Sequence, residues 1–143
     1  METVRELLDK KGRKVWSIKP DAPVFEAIKL LDRHGIGALV VLDRQKLVGI
    51  VSERDYARKV ILKDKSSKRT PVREIMTPDV LWVTPEWTVE DCLALMTEKR
   101  VRHLPVLEGD KLSGIVSIGD VARATIAKDD FLIGQLTNYI SGG

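Results

Sequence analysis

The chain has 143 residues, 43% hydrophobic and 31% charged, with a formal net charge of +3. That is ordinary for a soluble globular protein and long enough for one compact domain with a real core. A single cysteine excludes an internal disulfide framework and fits a reducing, cytoplasmic setting. No apolar run approaches the ~20 residues that span a bilayer. Charges interrupt Met1-Glu-Thr-Val-Arg-Glu6, so that segment does not read as a signal peptide.

In chain order, Thr3-Val-Arg-Glu-Leu-Leu8 predicts a short helix, echoed by Thr70-Pro-Val-Arg-Glu-Ile-Met76, where Pro71 suits a first helical turn. Lys14–Ile18 and Val80–Val83 read as short strands stopped by Pro20 and Pro85. Helices follow, with Val24, Ala27, Ile28 and Leu31 at helical spacing, and Val89, Cys92, Leu93 and Met96 repeating it. Ala38–Leu42 and Lys46–Val51 predict a hairpin around Asp43-Arg-Gln45, matched by His103–Leu107 and Lys111–Val116 around Glu108-Gly-Asp110. Helices are expected over Ser52–Leu62 and Ser117–Lys128, then an amphipathic tail from Asp129 to Ile140 that suits core or oligomer interface equally.

The echoes are a true internal repeat. Val15–Arg58 aligns without gaps on Val80–Arg123, and 16 of the 44 pairs are identical. Two copies are too few for a solenoid, so a closed pseudo-twofold pair is expected, each unit covering the other's apolar face. The expected organisation is a first repeat over 3–62, a basic linker over 63–70, a second repeat over 71–128 and a C-terminal helix and tail over 129–143. The fold class is α/β: two β-α-β-β-α repeats, each with a three-stranded sheet.

The most telling duplicated stretch is Gly49-Ile-Val-Ser-Glu-Arg-Asp55, which recurs as Gly114-Ile-Val-Ser-Ile-Gly-Asp120. Its plain reading is a capping box at a strand-to-helix junction. Its functional reading adds a phosphate at the positive helix end and a carboxylate for sugar hydroxyls. Catalysis has little support. Cys92 lies on an apolar helix face as a structural thiol, and His34 and His103 show no metal-ligand spacing with it. Gly114-Ile-Val-Ser117 places its serine one residue too late for a nucleophile elbow. Neither a Walker loop nor a dinucleotide glycine motif is present.

These residues, with Arg102-His-Leu-Pro-Val106 and the duplicated plan, resemble a tandem pair of CBS domains, a Bateman module. The likeness spans about Thr3 to Ala127, and Ser52-Glu-Arg-Asp-Tyr-Ala-Arg-Lys59 resembles stand-alone bacterial and organellar pairs. The resemblance implies a non-catalytic regulatory module that requires no cofactor. Its implied ligand is adenosyl (AMP, ADP, ATP, NAD(H) or S-adenosylmethionine), held between the repeats, and its implied assembly is a homodimer. Family geometry would set Ser52 and Asp55 against Val83, Arg102 and His103, and Ser117 and Asp120 against Val15, Ile18, Gly37 and Ala38. Arg54, Arg58, Lys59, Arg100, Arg102 and His103 would make the Asp55 cleft the charged one.

The alternative is nucleic-acid binding by the basic stretch, where eight Lys or Arg from Arg54 to Arg73 face only Asp55 and Asp64, leaving −3 elsewhere. The acidic remainder and the lack of an aromatic between Lys63 and Arg73 for base stacking disfavour it. A local anion site or a solvated loop fits better.

Overall fold

The computed structural model describes residues 1–127, so the expected end of the last helix at Lys128 and the tail from Asp129 lie outside the described residues. The order is α1 (Val4–Lys11), β1 (Ser17–Ile18), α2 (Val24–His34), β2 (Ala38–Asp43), β3 (Lys46–Ser52) and α3 (Glu53–Tyr56). A π turn (Ala57–Ile61) continues α3, and a 3₁₀ turn (Val72–Glu74) comes after the linker. Then come α4 (Val89–Lys99), β4 (His103–Glu108) and β5 (Lys111–Ser117), and a helix α5 over 118–127.

Both hairpins form with matching register: Ala38 pairs Ser52 as His103 pairs Ser117, and each has an irregularity one residue past the middle. Arg44 and Gln45 both take positive φ (52° and 70°), the twist a two-residue hairpin turn demands. The second unit departs from the expected three strands. β1 runs parallel to β2, but Val80–Val83 contributes only a single bridge, Val83 to Val106. Pro105 explains the loss. Its counterpart Val40 donates its N–H to the Trp16 carbonyl at 3.4 Å, and a proline has no N–H to give.

Two cores form, and the opening segments are exchanged between them. Val4, Leu7 and Leu8 of α1 are buried with Val83, Val89, Cys92, Met96, Leu104 and Val116 of the second unit. Val72 and Ile75, after the linker, are buried with Val24, Leu31, Leu39 and Val51 of the first. The backbone pairings are equally crossed, Thr3 with Thr88 and Pro71 with Pro23. The duplicated glycines permit this crossing. A Cβ on Gly114 would lie 2.7 Å from Leu8 Cδ2, and one on Gly49 would lie 2.5 Å from Met76 Sδ. Only a bare strand lets the partner segment lie this close. Among the described residues, no helix is long and apolar enough to cross a membrane.

Candidate functional site

Both Ser-x-x-Asp motifs are capping boxes. Ser52 N–H donates to Asp55 Oδ2 at 2.9 Å, and Asp55 N–H donates to Ser52 Oγ at 3.2 Å. Ser117 and Asp120 repeat this at 2.8 and 3.1 Å. The plain reading of the motif is therefore fulfilled, yet the cap uses one carboxylate oxygen of Asp55 and leaves the other. Among the described residues, Asp55 Oδ1 meets only a loose ion pair with Lys59 Nζ at 3.3 Å; that amine is also committed to the Ile75 carbonyl at 2.9 Å.

That carboxylate lines a cleft of about 560 Å³ between the units, within the range that holds a nucleotide-sized ligand. The first unit contributes Ser52, Glu53, Arg54 and Asp55, and the second contributes Arg100, Val101, Arg102 and His103. Ile50, Val80 and Leu81 give it apolar wall, and Thr77 and Asp79 close one side. Thr77 is held there by a two-way backbone bridge to Ile50, at 2.8 and 3.1 Å.

The sequence-based set is only partly gathered there. Ser52, Arg54, Asp55, Arg102 and His103 do meet. Gly37 and Ala38, expected opposite Asp120, line this same cleft, because the hairpins face each other at the axis and a Cβ on Gly37 would lie 3.6 Å from the His103 ring. Val83, expected here, is fully buried in the second core, and Ile18 is buried in the first. Val80 and Leu81, just upstream, reach the cleft instead. Val15, the counterpart of Val80, is half-buried, and Arg58 is exposed outside the lining. Thr77 and Asp79 were not anticipated; their signal was the Thr-Pro-Asp break after Met76.

Arg100 closes α4 in the left-handed region (φ 56°), where its counterpart Gly35 sits at φ 60°. A side chain at such a cap costs stability that glycine would not. Burial lowers the His103 pKa below its ordinary 6.5, helped by Lys11 and Arg102 and opposed by Asp120. His103 thus enters the cleft wall neutral near pH 7.

The other carboxylate is closed. Lys11, at the end of α1, donates to Asp120 Oδ2 at 2.5 Å and to the Ile115 carbonyl at 2.6 Å. Arg123 covers Oδ1 at 2.8 Å. Burial raises the Asp120 pKa, but hydrogen bonds from Lys11 and Ser117 outweigh it, so the carboxyl titrates below its ordinary 3.8. Cys92 is fully buried, and burial, with Asp91 nearby, pushes its thiol up to about 11, far from a reactive thiolate. Within the basic stretch, Arg73 is ion-paired with Asp21 and Lys68 lies over the Phe25 ring at 5.3 Å.

Known proteins decide the family. Residues 4–62 and 72–127 each match the CBS domain. The chain belongs to the CBS-domain family. It is 40% identical to the mitochondrial CBS domain-containing protein CBSX3 of Arabidopsis thaliana, over 99% of this chain and 73% of that one. A solved CBS-domain structure from Burkholderia ambifaria MC40-6 is 50% identical, with a TM-score of 0.85 over 87% of this chain and 94% of that one. The CBS domain pair of protein MJ0100, solved with 5′-methylthioadenosine and S-adenosylmethionine, is 25% identical with a TM-score of 0.79, covering 90% and 98%. The two units are thus those of a CBS pair.

Proposed function

We propose that this CBS pair is a regulatory module with no reaction of its own, which binds an adenosyl ligand (AMP, ADP, ATP or NAD(H)) in the Asp55 cleft. The observation that carries the reading is the convergence in one cleft of a half-committed carboxylate with Arg54, Arg100 and Arg102 and the apolar Ile50, Val80 and Leu81. The carboxylate accepts ribose hydroxyls, the guanidiniums take phosphate, and the apolar wall takes the base. The adenosyl ligands of the MJ0100 pair, on the same fold, support this choice of ligand class.

A homodimer is the assembly we infer. Ile61 and Leu62 are 58% and 76% exposed on the helix after Ser52, and Ile126 is 59% exposed on the helix after Ser117. Apolar side chains so exposed on the helices after the two motifs suit a partner surface. Light scattering that finds only the 16.0 kDa species at micromolar concentration would refute it.

A thermal-shift panel of AMP, ADP, ATP, NAD, NADH and S-adenosylmethionine tests the function. Ligand at 100 times its dissociation constant stabilises the fold by about 2.7 kcal/mol, a readily visible shift. No shift with any of them at millimolar concentration would sink the proposal. Binding to RNA or DNA that collapses with salt and ignores AMP would instead favour the basic stretch.

A further inference from the structure

The two opening segments are related by the repeat yet end differently. Val4-Arg-Glu-Leu-Leu8 matches Val72-Arg-Glu-Ile-Met76, but α1 runs on as helix to Lys11, whereas the second segment unwinds after Glu74. Thr77 then pairs with Ile50 on β3. In the corresponding place on β5, the Ile115 carbonyl is taken by the Lys11 side chain. Ile50 and Asp55 both line the open cleft. Their counterparts Ile115 and Asp120 are the two groups that Lys11 Nζ bridges. The Ile50 carbonyl accepts from Thr77 N–H at 2.8 Å, so the difference lies at the carboxylate: the ammonium sits against Asp120, whose first-unit counterpart Asp55 faces the open cleft.

The pairing is also better made than its counterpart. Asp120 has both oxygens occupied, by Lys11 and Ser117 on one and Arg123 on the other. Its side chain is 9% exposed, and that of Lys11 is 32% exposed, so the pair is shielded from the screening that weakens surface ion pairs. Among the described residues, Asp55 has only the 3.3 Å contact beyond its cap.

We infer that Lys11 is the residue that sets ligand stoichiometry: by occupying Asp120 and the Ile115 carbonyl it keeps sugar hydroxyls off the second carboxylate, so that each chain takes one adenosyl ligand, in the Asp55 cleft. This rests on the adenosyl reading above. A ligand reaching Asp120 has to break the Lys11 contacts and leave that ammonium in search of a partner. Removing the amine leaves Asp120 Oδ2 with only its cap bond from Ser117, frees the Ile115 carbonyl, and leaves the exposed Arg123 as the one cation on the carboxylate among the described residues.

Calorimetric titration of the whole chain with AMP and with ATP tests it, using wild type, Lys11→Ala and Lys11→Met, the last keeping the packing of the side-chain stem. The expected result is one site per chain in wild type, lost in Asp55→Ala and kept in Asp120→Ala. Lys11→Ala and Lys11→Met should each gain a second site, which Asp120→Ala added to either variant removes. Two sites in wild type, or one site in both Lys11 variants, overturns the inference while leaving the adenosyl reading intact. A wild type that binds neither nucleotide, with Lys11→Ala binding one through Asp120, overturns the Asp55 assignment and upholds the role of Lys11. No binding by any variant overturns both.

Discussion

Replacing Asp55 by asparagine separates its two roles. The cap needs an oxygen to accept from Ser52 N–H, now at 2.9 Å, and an asparagine side chain supplies one, so the fold should hold. The ribose role needs charge. A hydrogen bond to a charged acceptor is worth about 1.5–3 kcal/mol and to a neutral one about 0.5–1.5. Two sugar hydroxyls therefore lose about 2 kcal/mol together, or roughly 30-fold in affinity. Asp55→Ala also loses the return half of the capping box, the bond from Ser52 N–H, while Ser52 Oγ keeps its bond from the residue-55 N–H; that costs about 1 kcal/mol of stability, and the variant should abolish measurable binding. Urea unfolding reports the first quantity and calorimetric titration with AMP the second. Asparagine should leave the midpoint near wild type while weakening binding; alanine should lower both. If Asp55→Asn binds AMP within about threefold of wild type, the carboxylate is only a helix cap and the cleft assignment fails.

Three further outcomes rest on other contacts. Gly114→Ala should destabilise the fold by roughly 1–3 kcal/mol, because its Cβ meets Leu8 Cδ2 at 2.7 Å and Cδ1 at 2.8 Å; adding Leu8→Ala should recover part of that in a urea double-mutant cycle. Arg100→Gly should raise the unfolding midpoint by relieving about 1 kcal/mol of left-handed strain, while weakening ATP more than adenosine, and a variant neither stabler nor weaker for ATP would remove Arg100 from both roles. His103 has a folded pKa below its ordinary 6.5, so the unfolded chain takes the proton first as pH falls. Its contribution is complete above pH 6.5 and is lost below it; melting temperatures should fall more steeply from pH 6.5 downwards in wild type than in His103→Gln, and parallel curves would refute the assignment.

Local pattern revealed the hairpins, the two amphipathic helices and the capped strand-to-helix junctions, because each is fixed by residues within a few positions of one another. The exchange of opening segments was not legible. Val4-Arg-Glu and Val72-Arg-Glu stand at the head of their own repeats in sequence, and only the far-off Gly114 and Gly49 show which strand each one crosses. The shortened second sheet was legible in principle from Pro105, whose missing N–H cancels one ladder bond. Within the cleft, polar motif residues were easier to place than apolar ones. Ser52 and Asp55 have one position available at the junction, whereas any of Val80–Val83 satisfies a short strand, and packing decides that Val83 goes inward and Val80 and Leu81 line the cleft. Lys11 stayed hidden because the spacing between opening segment and strand differs by three residues in the two copies, which removed it from the gapless alignment.

The exchange also bears on how binding in this cleft could be transmitted. A ligand against Asp55 touches α3 of the first unit, Thr77 and Asp79 of the connecting segment, and Arg100 to His103 of the second unit. The connecting segment is fixed to the first core by Ile75, whose carbonyl accepts from Lys59, four residues beyond Asp55 on the same helix. That helix carries on through the π turn to Ile61 and Leu62, its most exposed apolar residues. π turns are frequent at functional sites because they add a residue to a helix and re-aim the side chains beyond it. Binding energy favours one arrangement of that surface only to the extent that the cleft differs between arrangements. The cleft walls belong to both units, so a shift of one unit against the other changes the cleft directly. At the second junction Lys11 instead ties the end of α1 to the Ile115 carbonyl of β5 and to Asp120 at the start of α5, a link the first unit lacks.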